Sequence, residues 1–230
     1  MSKLGSARLV LQKFDDALRD LKEAQRITRK TLGRNNKMEA QILCHVACLY
    51  FEAGELFSAQ ATFEDALDIY REVVTTEADR EGCMAQMTET MCNIGSILNK
   101  RRSFTEAIAC FKEALDLQRA ALGNDHPRVV ATLDNLGYSY SKNKKYHQAL
   151  ACFKEMLTAQ ISRHGELTPE CCVTLKKQII IYEKLDKLDK AVKVTQKILI
   201  RMSPIEPVVL MDMKNILDEL MIKTDKRGCF

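Results

Sequence analysis

Five alanines recur along this 230-residue chain at intervals of 42, 48, 42 and 42 residues. They are Ala17, Ala59, Ala107, Ala149 and Ala191. Three residues before each stands a large apolar residue: Phe14, Leu56, Phe104, Tyr146 and Leu188. Nine residues earlier stands a small or apolar one: Gly5, Ala47, Gly95, Gly137 and Ile179. Self-similarity at such a period predicts a solenoid of repeated helical units.

Residues 127–157 show the repeated unit most clearly. Apolar or small side chains recur every three or four residues, a polar stretch at 142–145 interrupts the pattern, and the pattern then resumes. This predicts a hairpin of two amphipathic helices. We expect Gly137 and Ala149 to let the helices approach closely, with Phe153 filling the space beside them. The structural signature recurs at Ala47, Ala59, Phe63, Gly95, Ala107, Phe111, Gly137, Ala149, Phe153 and Ala191.

The repeat predicts one all-α solenoid domain over residues 1–230. The expected hairpins are residues 1–32, 37–75, 84–122, 127–164 and 169–202, and the expected capping helix is residues 206–223. In the first hairpin only a shortened first helix precedes the turn. The capping helix hides the last apolar face of the stack; the alternative is a helix donated to another protein.

The segments between hairpins carry helix stop and start residues. In residues 122–127, Gly123 can end one helix and Pro127 fits the first turn of the next. Asp125 or His126 can cap that turn. We therefore expect a structural role for His126.

Composition and charge argue against several classes of protein. Residues 174–230 carry 12 basic and 8 acidic side chains, whereas residues 1–173 carry 23 of each. That surplus is far sparser than the basic stripe that binds nucleic acid. No apolar run approaches the roughly 18 residues of a membrane span, and no signal peptide begins the chain. We expect a cytoplasmic protein.

Nine cysteines are scattered without a paired spacing, which favours free thiols in a reducing compartment. Cys110 and Cys152 share one repeat position, typical of core packing. Cys44 and Cys48, with His45 between them, offer metal-ligating atoms on one helix. A closed zinc site needs four ligands, and no second half-site has a matching spacing. We expect no metal and no cofactor.

Gly or Ala stands at the fixed positions where the two helices of a hairpin cross, and an aromatic residue stands near the turn. This pattern resembles the tetratricopeptide repeat. The 42-residue period, with LGNDHPRVVATLDNLGYSY before YHQALACFKEML, is similar to the long repeats of kinesin light chains and nephrocystin-3-like proteins. The resemblance covers about 200 residues and implies a right-handed superhelix. HEAT and armadillo repeats share the period but do not place these residue types at these positions.

In such arrays the first helices of the hairpins line a concave groove. The resemblance implies that Asn93 and Asn135 can hold the backbone of an extended peptide, and that Lys100, Lys142 and Lys184 can hold a carboxylate. The candidate groove residues are Asn93, Ser96, Asn99, Lys100, Asn135, Tyr138, Ser141, Lys142, Lys177 and Lys184.

The recurring asparagines and the recurring lysines, which we call ladders, also have a structural interpretation. Each of the three lysines lies in the last turn of its helix, where a cation complements the helix dipole. Each asparagine can make a hydrogen bond within the fold instead. The sequence leaves both interpretations open.

No Gly-rich phosphate loop, nucleophile elbow or HExxH motif is present, so we expect no enzyme. The favoured function is a scaffold or adaptor that binds a protein or an extended peptide, including an acidic one. One alternative is an architectural solenoid that self-associates or joins a larger complex through its ends. A less favoured one is an RNA-binding helical array.

Overall fold

The computed structural model describes residues 3–75, 80–164, 168–201 and 207–228. Within these ranges the chain forms ten α-helices and no β-strand. They are α1 (Lys3–Leu32), α2 (Lys37–Glu52), α3 (Leu56–Val73), α4 (Arg80–Lys100), α5 (Phe104–Leu122), α6 (Pro127–Lys142), α7 (Tyr146–His164), α8 (Pro169–Lys184), α9 (Leu188–Arg201) and α10 (Pro207–Gly228). None of the described helices is long and apolar enough to cross a membrane. The predicted all-α class is confirmed.

The chain divides into two compact units, unit 1 (Met1–Ala121) and unit 2 (Leu122–Phe230). In unit 1, α1 packs on α2, α2 on α3, and α3 on α4. In unit 2, the helices from α6 to α10 pack consecutively. Consecutive packing of this kind defines an α-solenoid. A single domain over residues 1–230 stays a prediction.

The first predicted hairpin, residues 1–32, differs from the others. Residues 3–32 form one continuous helix, α1. The turn expected before Phe14 is absent because residues 8–13 (RLVLQK) contain no Gly, Asn, Asp or Pro to interrupt the helix.

The other four hairpins turn through the same backbone motif. One residue in each turn has a left-handed φ, of 82°, 65°, 59° and 60° respectively: Gly54, Arg102, Lys144 and Asp186. In the α6–α7 turn the Lys145 N–H donates to the Tyr140 carbonyl (2.8 Å) and the Lys144 N–H to the Ser141 carbonyl (3.1 Å). This pair of bonds is a Schellman motif, and the other three turns repeat it. The motif fixes where each second helix begins.

Helix crossings in two hairpins require glycine. A Cβ on Gly137 would stand 2.6 Å from Phe153 Cε1, and a Cβ on Gly95 would stand 2.7 Å from Phe111 Cζ. Real Cβ atoms essentially never approach another atom this closely. The aromatic ring therefore lies directly on the backbone of the first helix, as the sequence predicted.

The fifth repeat reverses this arrangement. Ile179 stands where its neighbour has Gly137, and Thr195 stands where that neighbour has Phe153. Both residues are fully or almost fully buried. In the fifth repeat the first helix thus supplies the large residue of the crossing and the second helix the small one. In the fourth repeat the first helix supplies the small residue and the second helix the large one, so the crossing is filled in both cases.

The longer interval between repeats two and three lengthens a first helix. The α4 helix has 21 residues, whereas α2, α6 and α8 have 16 each. It begins 15 residues before Gly95, against 10 residues between the start of α6 and Gly137. Part of the inserted stretch, residues 76–79, lies outside the described residues.

The last helix, α10, stands in the place of a sixth first helix and packs on α9. When the prolines that open α8 and α10 are aligned, Leu220 takes the position of Tyr182, and both are buried. The position of Ile181, which is buried in α8, is taken by the exposed Glu219. A charged residue there suits the outer face of a capping helix; the capping role stays a prediction.

Polar contacts join α1 to α2. Glu39 is buried at 1% exposure and accepts hydrogen bonds from Arg29, from the Asn35 N–H (2.9 Å) and from Gln25 (3.3 Å). Burial raises the pKa of Glu39, but the bonds from Arg29 and Asn35 outweigh it and hold the pKa below its usual value. Asn36 caps α2 by accepting from the Glu39 N–H, and His126 caps α6 as predicted.

The left-handed Lys144 generates a first prediction. Replacing it with glycine removes the cost of holding a side chain in this conformation, about 1 kcal/mol. Lys144→Gly should therefore raise the urea midpoint of unfolding, followed by circular dichroism. The neighbouring Lys145→Gly, where no left-handed φ occurs, should not raise it. Equal midpoints for both variants would contradict the assigned turn.

The reversed crossing of the fifth repeat generates a second prediction. Gly137→Ile should destabilise unit 2 by about 3 kcal/mol, because its side chain collides with Phe153. Adding Phe153→Thr should recover at least half of that loss, because the pair then matches Ile179 and Thr195. Chemical denaturation of the two single variants and the double variant gives the coupling free energy. Additive losses in the double variant would show that the two positions do not share a crossing.

Candidate interaction surface

The two helices of each hairpin cross at one residue of the first helix, which is Ala47, Gly95, Gly137 or Ile179. Counted from this crossing residue, the first helices present equivalent residues at three register positions: two before it, one after it and five after it. In unit 1 these are His45, Cys48 and Glu52 on α2, and Asn93, Ser96 and Lys100 on α4. In unit 2 they are Asn135, Tyr138 and Lys142 on α6, and Lys177, Ile180 and Lys184 on α8. All twelve are half-buried or exposed. We call these residues the first-helix face of each unit.

In unit 1 the first-helix face contains a cleft between α2 and α4. It consists of a cavity of about 260 Å³ and a second of about 340 Å³, which share Cys48 and Asn93. The first is lined by Cys48, Phe51, Phe63, Asn93, Ser96 and Ile97. The second is lined by Gln41, Cys44, His45, Cys48, Tyr70, Gln86, Glu89, Thr90 and Asn93. The structure thus brings the predicted Asn93 and Ser96 together in what we call the α2–α4 cleft.

Three of the predicted lysines lie over aromatic rings, among them Lys177, whose Nζ is 5.9 Å from the centroid of the Phe153 ring. The Lys100 Nζ is 3.7 Å from the centroid of the Phe51 ring, and the Lys142 Nζ is 5.3 Å from that of Tyr138. Each lysine of the ladder also lies in the last turn of its helix. A cation–π contact at an exposed site contributes about 0.5–1 kcal/mol. This geometry is compatible with lysines that complement the helix dipole and with lysines that bind a ligand.

In unit 2 the first-helix face is more apolar than the sequence indicated. Tyr138 is 46% exposed, Ile180 52% and Val173 53%. Ile180 stands at the register position of Tyr138, seven residues after Val173 on the same side of α8. The sequence analysis missed Val173 and Ile180 because a run of apolar residues on one helix does not show which of them a neighbouring helix covers.

The charged residues of unit 2 differ in what they contact. The Lys177 Nζ lies 2.5 Å from Asp134 Oδ1, so this predicted groove residue is already paired with a carboxylate on α6. Asp134 was not predicted. Another ion pair of 2.5 Å joins Lys223 on α10 to Glu183 on α8. Lys142 and Lys184 are exposed. The remaining predicted residues, Asn99, Asn135 and Ser141, are half-buried.

The cysteines near His45 form no metal centre. No group of three His, Cys, Asp or Glu side chains within the described ranges could hold a metal ion. The Cys44 Sγ lies 3.3 Å from Thr90 Oγ1, and Cys48 is exposed. Partial burial raises the pKa of the Cys48 thiol, and the negative charges of Glu52 and Glu89 raise it further. Glu52 and Glu89 are therefore the two carboxylates whose charge acts on this thiol.

A family model described as "Tetratricopeptide repeat" matches residues 1–72 and 86–162. The chain belongs to the tetratricopeptide repeat family. The fold predicted from the sequence agrees with that membership. A search among curated proteins found no match.

Solved structures share the tetratricopeptide fold at low identity. BtubC (BKLC) from P. vanneervenii superposes with a TM-score of 0.69 at 16% identity, covering 91% of this chain and 82% of that one. A putative kinesin light chain with nearly identical repeats from Podosopora anserina gives 0.68 at 13% identity, covering 84% and 90%. The apo form of RapI gives 0.67 at 15% identity, covering 97% and 62%. At these identities the likeness shows the fold alone.

The carboxylates beside Cys48 generate a prediction on thiol reactivity. Removing a negative charge lowers the pKa of the thiol, so a larger fraction is thiolate at neutral pH. Glu89→Gln should therefore speed alkylation of Cys48 by iodoacetamide severalfold and move the pH–rate midpoint downward. Peptide mapping by mass spectrometry isolates this cysteine from the other eight. An unchanged midpoint would show that Glu89 does not act on the cleft.

Proposed function

We propose that this tetratricopeptide repeat protein is a non-catalytic interaction scaffold, and that the first-helix face of unit 2 binds a partner segment with both apolar and acidic side chains. One observation carries the proposal: exposed Tyr138 and Ile180 alternate in register with the exposed Lys142 and Lys184. Proteins of this fold commonly mediate protein–protein interaction, which supports the general role.

The apolar residues supply the binding free energy. Burying exposed apolar surface contributes about 25 cal/mol per Å², and Tyr138, Val173 and Ile180 are each about half exposed. Isolated exposed apolar residues are common, but here Tyr138 and Ile180 share one register position, and Val173 lies on the same side of α8 as Ile180, which together make a surface suited to a partner. Aliphatic or aromatic side chains of the partner would cover it.

The lysines supply orientation and charge selection. Because Asp134 already neutralises Lys177, the free positive charge of this face comes from Lys142 and Lys184. Carboxylates on the bound segment would pair with these two ammonium groups at the edge of the apolar surface. Such pairs mainly select partners and speed association. We place this interaction in the cytoplasm, where the free thiols of the chain would stay reduced.

The test is selection of random 12-residue peptides displayed on phage against the intact chain. We expect enrichment of peptides that combine Asp or Glu with Leu, Ile or Phe. The best peptide should bind the Lys142→Gln/Lys184→Gln variant about tenfold more weakly, a loss of about 1.4 kcal/mol. An Ile180→Asp variant should lose binding altogether.

The matched control is Lys144→Gln/Lys145→Gln, which removes two exposed lysines from the hairpin turn rather than from the face. It should bind the peptide as the unaltered chain does. Enrichment of basic peptides, or equal losses in both double variants, would refute the proposal. A mass that rises with protein concentration, with no peptide enriched, would instead favour the self-associating alternative.

A further inference from the structure

One side of α10 exposes apolar and charged side chains together. Leu220 is buried, whereas Met211 is 61% exposed and Met221 46%. Lys214 and Asp218 are exposed as well. Because successive residues of an α-helix are about 100° apart, these four exposed residues lie within an arc of about 80° on the side away from Leu220. They therefore form one stripe along the helix.

The spacing of this stripe is that of a coiled-coil contact. Met211, Lys214, Asp218 and Met221 follow one another at intervals of three, four and three residues. Side chains that alternate between these two intervals pack against the same stripe of a second helix. We call these four residues the α10 seam. Ile222, which is 55% exposed, flanks it and adds apolar surface.

The α10 seam is complementary to itself. Met211 and Met221 stand five residues on either side of Ile216, and Lys214 and Asp218 stand two residues on either side of it. A twofold axis at this position sets two copies of α10 antiparallel, so that Met211 of each copy meets Met221 of the other and Lys214 meets Asp218. Such reciprocal contacts are those of an isologous dimer.

The two charges of the seam select the antiparallel orientation. In a parallel pair, Lys214 would stand against Lys214 of the second copy and Asp218 against Asp218, and like charges in contact disfavour that pairing. Within the described part of the chain, no hydrogen bond or ion pair joins Lys214 to Asp218 in one copy. Lys223 differs, because Glu183 on α8 pairs with it. The seam thus presents one cation and one anion to a second copy.

We propose that a second copy of this chain binds to the α10 seam, so that the protein forms an antiparallel twofold dimer through α10. Two pairs of methionines and two ion pairs join the copies. Stable complexes bury about 800 Å² per partner, and a single helix seam is smaller. We therefore expect a weak dimer, with a Kd of about 10–100 µM. The proposal does not depend on the peptide-binding face of unit 2, whose residues lie on α6 and α8.

The experiment measures self-association of the intact chain by sedimentation velocity between about 1 and 500 µM, a range that brackets the expected Kd. Lys214→Asp makes both charged positions of the seam acidic, and Asp218→Lys makes both basic. Each variant alone should associate at least about tenfold more weakly than the unaltered chain, because like charges then meet across the twofold axis.

Mixing the two variants gives the decisive result. Each supplies the charge that the other lacks, so an equimolar mixture of Lys214→Asp and Asp218→Lys should associate with a Kd within about threefold of that of the unaltered chain. A variant that had merely lost its fold would not recover on mixing. Circular dichroism verifies that each variant remains helical.

Glu219→Lys is the matched control. It reverses an exposed charge next to Asp218, at a position about 100° further round the helix and outside the seam. It should leave the Kd unchanged within about twofold. An unaltered chain that stays monomeric over the whole range would overturn the proposal. So would single variants that associate like the unaltered chain, or a mixture that associates no better than either variant alone.

Discussion

The structure depends on the contact of an aromatic ring with a helix backbone. In two hairpins Phe111 and Phe153 lie so close to Gly95 and Gly137 that no side chain fits between them. In the fifth repeat the same space is filled the other way round, by Ile179 opposite Thr195. What the repeats preserve is the filled volume of the crossing rather than a particular residue, which follows from the close packing of protein interiors.

Because the crossing and the Schellman turn fix each hairpin, the first helices are left to vary on one face. Unit 1 places thiols, carboxylates and amides around a cleft, and unit 2 places aliphatic side chains, an aromatic ring and lysines at the equivalent positions. One backbone arrangement thus carries two chemically different surfaces. In a repeat protein each repeat contacts only its neighbours, so such local differences do not disturb the rest of the array.

The sequence predicted the all-α repeat fold and the cap of α6, because side chains spaced by a fixed period and turn residues between them report local structure directly. It did not predict that α1 is continuous, since the absence of a turn residue is a weaker signal than a helical period. The role of Glu39 and the exposure of Val173 and Ile180 were also missed. These depend on which neighbouring helix covers a residue, and a single helical pattern does not contain that information. The two ion pairs between first helices were missed for the same reason.

We propose that the first helices, and not the second helices, carry the partner-binding surface. Chemical-shift mapping by NMR on the intact labelled chain, titrated with an acidic and apolar peptide selected against it, tests this most directly. We expect the largest shifts on α6 and α8, around Tyr138 and Ile180, while the amides lining the α2–α4 cleft remain unchanged. Shifts concentrated on the outward residues of α7 and α9 would contradict it.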